Sequence, residues 1–156
     1  SRQSFKNSYA FVYSYYPFNL KQELLLGMGR KDGVAVGDPV VFHGLFVGKI
    51  KEAFEATALV QTIFDSRFES AVRVGEAGID ALLKGGDEPK LILITKDSRV
   101  NPGDSIYSAA PDIPYGIPIG QVREVRIDDN NPLGEATLNL GYTFREMRVV
   151  EIIIDK

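Results

Sequence analysis

The sequence predicts an all-β protein, two small β-barrel subdomains related by a weak internal repeat, and three observations carry that prediction. Apolar and polar residues alternate over many short runs. Gly, Pro, Asn and Asp punctuate those runs at close intervals. One phrase is also written twice, as "VAVGDPVVFHGLFVGKIKEA" at residues 34–53 and as "VNPGDSIYSAAPDIPYGIPIGQVREV" at 100–125.

Taken in order, the first predicted strand is Ala10–Tyr16, an aromatic alternation that Pro17 ends. Glu23–Met28 follows as a strand, because Gly27 and Gly29 interrupt any helix that Asn19 would cap. Pro39–Phe42 and Phe46–Ala53 form a hairpin around His43-Gly44, and Leu59–Phe64, Ala71–Val74 and Ile79–Lys84 continue the pattern. The Gly- and Pro-bearing stretch 84–89 reads as a seam. It divides the chain into subdomains 1–84 and 85–156, with the N-terminal strand allowed to pack on the second. Leu91–Thr95, Ser105–Ser108, Pro118–Ile127, Glu135–Asn139 and Val149–Ile153 complete the set, with one helical turn at Phe144–Met147.

In the repeated phrase, Gly37-Asp38 answers to Gly103-Asp104 at an offset of 66 (37 to 103), and Gly48 to Gly120 at 72 (48 to 120). The six extra residues fall in the loop Ala109–Tyr115. A Gly-Asp pair before a strand is a turn in which Gly takes positive φ and Asp bonds nearby amides. Gly48 and Gly120 each break an apolar strand, as at a bulge or tight barrel bend. These six residues are therefore predicted structural turns.

The 156 residues are 44% hydrophobic and 25% charged, ordinary for a folded domain, with a net charge of −3. The basic residues are scattered, which excludes a broad nucleic-acid surface. Without cysteine there is neither a disulfide nor a thiolate nucleophile or metal site. No apolar run reaches membrane-spanning length. The chain opens at Ser1 rather than Met and is expected to be an excised piece of a longer parent.

Motifs for chemistry are weak. His43 is the single histidine and no Gly-x-Ser-x-Gly setting accompanies it, so a polar hairpin residue is the simpler reading. "GMGRKDG" (27–33) lacks the spacing and following helix of a phosphate loop. "IDDNNPLG" (127–134) has loop composition and lacks the alternating ligands and downstream Glu of a calcium loop. No catalytic residue, metal or cofactor is expected. In "YAFVYSYYPF" (9–18), Tyr9, Phe11, Tyr13 and Tyr15 share one strand face, with Val12 and Tyr16 on the other. Aromatic packing against a core explains this, since aromatics favour strands. A partner surface using Tyr13, Tyr15 and Phe18 is the alternative, since Tyr is enriched where proteins meet.

With these residues in place, the chain resembles the extracytoplasmic domain of MreC, the bacterial rod-shape-determining family. The resemblance runs through Gly33-Val34-Ala35-Val36-Gly37-Asp38-Pro39-Val40, Gly44-Leu45-Phe46-Val47-Gly48-Lys49-Ile50 and Asp65-Ser66-Arg67-Phe68. It continues in Gly103-Asp104, in Gly116-Ile117-Pro118-Ile119-Gly120-Gln121-Val122 and in the closing Arg148–Ile152, so that it covers about Leu24 to Ile154. Two departures mark a divergent member: Ser108-Ala109-Ala110 stands where the family often has Thr-Ser-Gly, and Ile79–Gly85 replaces a Gly-rich strand.

The resemblance implies two small barrels on the extracytoplasmic (periplasmic) side of the membrane, anchored in the parent by one helix and a coiled coil. It implies a non-catalytic scaffold for cell elongation that controls cell shape. Its partners would be itself (dimer or filament), the penicillin-binding transpeptidase of peptidoglycan synthesis and, through segments mostly absent here, MreB and MreD. The contrasting reading is a serine hydrolase or degenerate protease-like double β-barrel using His43. A third, a barrel that binds a ligand or RNA, is disfavoured by the acidic charge balance.

Overall fold

The computed structural model of the chain describes residues 6–14 and 22–154. Among them are twelve strands. They are β1 (Lys6–Ser14), β2 (Glu23–Leu26), β3 (Pro39–Phe42), β4 (Leu45–Ala53), β5 (Ala58–Thr62) and β6 (Glu69–Val74). There follow β7 (Ile79–Lys84), β8 (Lys90–Thr95), β9 (Ser105–Ser108), β10 (Pro118–Arg126), β11 (Leu133–Asn139) and β12 (Val149–Ile154). Two short 3₁₀ turns, Arg30–Asp32 and Phe144–Glu146, complete the described elements. Each strand expected from the sequence has a counterpart among the described residues; the first begins earlier than predicted, at Lys6, and its expected end at Tyr15-Tyr16 lies outside the described residues.

All pairings are antiparallel, and the strands close into two six-stranded barrels. The first is the ring β1-β12-β3-β4-β5-β2 and the second is β10-β11-β8-β7-β6-β9. Each barrel fills its interior from alternate positions, as in the exposed–buried alternation of β6, β11 and β12. Leu24, Leu26, Phe46, Ile50, Ile152 and Met147 are fully buried in the first barrel, and Ile63, Leu83, Leu91, Ile94, Ile106 and Ile119 in the second. Burial of one such side chain stabilises by roughly 1.5–3 kcal/mol.

The division between the barrels differs from the expected 84/85. The first unit is 1–62 plus 142–156, and the second is 63–141. Of the two glycines taken for a seam, Gly85 is packed inside barrel 2, and Gly86 N–H donates to Ile63 O of the same barrel at 3.2 Å. Gly85 N–H donates to Phe68 O at 2.8 Å, and a Cβ on Gly85 would lie 2.1 Å from Asp65 O. Gly there answers a close backbone approach. The N-terminal strand likewise stays in the first barrel, where β1 pairs with β12 and β2.

The two rings are the same ring, entered at different points. Beginning at β12, the first reads β12-β3-β4-β5-β2-β1; beginning at β6, the second reads β6-β9-β10-β11-β8-β7. Strands β1–β5 therefore correspond in order to β7–β11, and the trailing β12 corresponds to the leading β6. Barrel 2 is a continuous segment. Barrel 1 is a circular permutation of it, completed only when the chain returns after Gly141.

Candidate functional site

The repeated phrase builds the same corner in each barrel. Ala35 N–H donates to Asp38 Oδ2 at 2.8 Å, and Asn101 N–H to Asp104 Oδ2 at 2.8 Å. Gly37 N–H donates to Ile50 O at 2.8 Å, and Gly103 N–H to Val122 O at 2.7 Å. The reciprocal bonds, Ile50 N–H to Asp38 O and Val122 N–H to Asp104 O, measure 2.9 and 2.8 Å. Gly37 and Gly103 stand at φ 93° and 90°, in the region that favours glycine.

Gly48 and Gly120 meet the facing strand so closely that side chains are excluded. A Cβ would lie 2.1 Å from Gln61 O at position 48 and 2.6 Å from Asn139 O at position 120. The ladders shift register at matching places, between Ile50 and Glu52 in β4 and between Val122 and Glu124 in β10. These corners are hydrogen-bonded to their own barrels. They are architecture.

His43 lies in the two-residue hairpin between β3 and β4, at φ 49° beside Gly44 at φ 78°. The exposed imidazole stacks on Phe42, ring centroids 4.0 Å apart, and no described serine or carboxylate is bonded to it. Asp128 and Asn131 are used by their own loop, accepting from Asn130 N–H at 3.0 Å and Leu133 N–H at 3.1 Å. That loop borders a shallow groove of about 450 Å³ lined by Val125, Arg126, Ile127 and Leu133 among others. Among the described residues no group of three potential ligands gathers for a metal ion.

Buried polar groups serve the fold. Tyr142 is buried, donates from its hydroxyl to Phe46 O at 3.0 Å and meets Phe42 edge to face at 5.7 Å. Burial raises the Tyr142 phenol above its usual pKa. In barrel 2, the buried Ser108 hydroxyl donates to Pro114 O at 2.8 Å and accepts from Ile117 N–H at 2.9 Å. It thereby pins the longer second loop and leaves Tyr115 exposed.

One feature of the surface is not explained by architecture. Tyr9, Phe11 and Tyr13 on β1 are 70%, 68% and 64% exposed, while Ala10 between them is buried. On the adjoining β12, Val149 lies opposite Phe11 and Glu151 opposite Tyr9, on the same outward face. Tyr13 lies over Gly27, where a Cβ would come within 2.5 Å of its ring. Of the three expected partner residues, Tyr13 is in this band, whereas Tyr15 and Phe18 lie outside the described residues. Tyr9 and Phe11 belong to it as well. The period-2 spacing pointed to them, but alternation alone does not say which face is turned inward.

The chain matches the family profile "Rod shape-determining protein MreC, barrel core" over residues 12–154. Among solved structures, one MreC is 25% identical at a TM-score of 0.84, covering 95% of this chain and 87% of that one. Another is described as the major periplasmic domain of the cell-shape-determining filament MreC. It is 20% identical, with a TM-score of 0.82 and coverage of 100% and 99%. MreC from Helicobacter pylori, solved in complex with the penicillin-binding protein PBP2, is 15% identical, with a TM-score of 0.73 and coverage of 98% and 100%. No curated protein matches the chain by sequence.

Proposed function

The chain belongs to the MreC family of rod-shape-determining proteins, of which it carries the barrel core, and from that premise we propose that it is a non-catalytic scaffold of cell elongation. It works outside the cytoplasmic membrane, associates with itself and engages a penicillin-binding transpeptidase of peptidoglycan synthesis. The observation that carries this reading is the family match over almost the whole chain. Two features of relatives support it: one is described as the periplasmic domain of a filament, and another was solved with PBP2.

The chemistry of the surface agrees. Polar groups at the repeated corners are bonded within their own barrels, and the exposed band on β1 offers aromatic contact rather than a nucleophile or an acid–base pair. The rings close on themselves, so association by adding a strand at a free edge gives way to association through side-chain faces.

The test is capture of the elongation transpeptidase from the same bacterium by the immobilised chain, together with sedimentation across a wide concentration range. Saturable capture and concentration-dependent association are expected. A chain that stays monomeric and captures nothing refutes the proposal. A fluorophosphonate probe separates off the hydrolase reading, because labelling abolished by His43→Ala would make the protein an enzyme.

A further inference from the structure

The outward side chains of the β1–β12 pair are not required by the barrel they stand on. At the corresponding pair of barrel 2, β7–β6, the same face carries Asp80 bonded to Arg73 and Lys84 paired with Glu69 at 3.5 Å. That ring closes equally well with charged residues outward. Three exposed aromatic rings on the twin position therefore serve something other than closure. Resting on the self-association proposed above, we infer that this face binds a second copy of the chain through an antiparallel two-fold contact centred on Phe11.

The order of the rings selects a second copy. Among the described residues of the strand, Tyr9, Phe11 and Tyr13 present Tyr, Phe, Tyr outward, an order that reads the same from either end. A two-fold axis lying across β1 at Phe11 sets Phe11 against Phe11 of the second copy and Tyr9 against its Tyr13. Such a patch is self-complementary, the requirement of an isologous dimer, and rings so placed can stack offset or edge to face.

Charge favours the same arrangement. Glu151 stands beside Tyr9, and positions 9 and 13 are about 13 Å apart along a strand. The axis at Phe11 keeps the two Glu151 carboxylates apart by that length. Each instead approaches the end of β12 in the other copy, where exposed Arg148 stands. Area sets the strength. Three rings of roughly 200 Å² each, about two-thirds exposed, offer on the order of 400 Å² per copy. With Val149 and Ile153 the pair buries about 1,000 Å² in total, the lower end of specific interfaces. The contact is weak and depends on concentration.

The chain contains no cysteine, so introduced ones report without background. A short bis-maleimide reaches across sheet faces packed roughly 10 Å apart. Phe11→Cys is expected to cross-link to itself, Tyr9→Cys alone to cross-link poorly, and a mixture of Tyr9→Cys with Tyr13→Cys to cross-link well. The triple variant Tyr9→Ser/Phe11→Ser/Tyr13→Ser loosens self-association at least thirtyfold in sedimentation while still melting cooperatively at a slightly lower temperature, because the rings face outward and Tyr13 alone among them covers Gly27. Glu151→Arg and Arg148→Glu each weaken the dimer, and the double exchange restores it. If the triple variant self-associates like the parent, the surface is wrong while the scaffold reading stands. A parent chain that never self-associates removes the reading as well. A triple variant that keeps self-association but loses capture of the transpeptidase assigns the stripe to that partner and overturns the dimer.

Discussion

The β1–β12 pair of barrel 1 and the β7–β6 pair of barrel 2 occupy the same place in the same ring, yet they turn opposite chemistries outward. On β7, Asp80, Leu82 and Lys84 stand where β1 carries Tyr9, Phe11 and Tyr13. The charged face is held by exposed cross-strand pairs, Asp80 with Arg73 and Lys84 with Glu69. The Asp80 hydrogen bond also holds the Arg73 guanidinium above its usual pKa. Exposed pairs of this kind add little stability, so neither face is what keeps its barrel closed. Closure comes from what the rings share: inward apolar positions, the Gly-Asp turns and two glycines pressed against a facing strand. The difference teaches that the fold constrains the inside and the corners, and leaves the outside to function.

The comparison can be broken first at the glycines. Gly48→Ala drives a Cβ to 2.1 Å from Gln61 O and must part β4 from β5, at about 3 kcal/mol. Gly120→Ala, at 2.6 Å from Asn139 O, costs about 1–2 kcal/mol. Denaturant midpoints of the two variants check both the size and the order.

A smaller effect is confined to barrel 1. Tyr142→Phe removes the hydroxyl bond to Phe46 O and destabilises by about 1–1.5 kcal/mol at neutral pH. The folded pKa of Tyr142 lies above its unfolded value, so the protein retains a proton that the unfolded chain releases. This contribution is fully present below about pH 10 and is lost as pH rises beyond it, with a slope of at most about 1.4 kcal/mol per pH unit. Denaturant titrations above pH 10 should show Tyr142→Phe with a shallower alkaline decline than the parent.

The smallest expected effect tests the likeness itself. Asp38→Ala and Asp104→Ala each delete an equivalent 2.8 Å bond to a backbone amide, at about 1 kcal/mol apiece. Matched losses in paired denaturant curves sharpen the equivalence of the corners. A loss at only one of them breaks it.

Much of this was legible in the residues. Alternation and turn chemistry gave all twelve strands, and the twice-written phrase marked the two corners that the hydrogen bonds confirm as equivalent. The family resemblance was carried by those same turns. The boundary expected at 84 differs from the observed one because Gly85-Gly86 has linker composition, whereas Gly85 answers close packing against Asp65 and Ile63. The permutation was hidden for a different reason. Val149–Ile154 has the same local pattern whichever barrel it joins, and only its pairing with β1 and β3, more than 100 residues earlier, decides. The outward turn of Tyr9 and Phe11 was equally hidden, because the small inward residue is Ala10 and aromatics alone suggest a core.

The central claim is that one barrel is written continuously and the other is completed by a returning strand, and it is tested most directly by cutting the chain accordingly. The segment 63–141 contains all six strands of its ring, whereas 1–62 lacks β12. Because Lys6 lies opposite Ile154, a short linker from residue 154 to residue 6 can join 142–154 ahead of 6–62 as a permuted single chain. Thermal unfolding followed by circular dichroism should give cooperative transitions for 63–141 and for the permuted barrel, and none for 1–62. A cooperative transition from 1–84, with none from 63–141, would contradict the account.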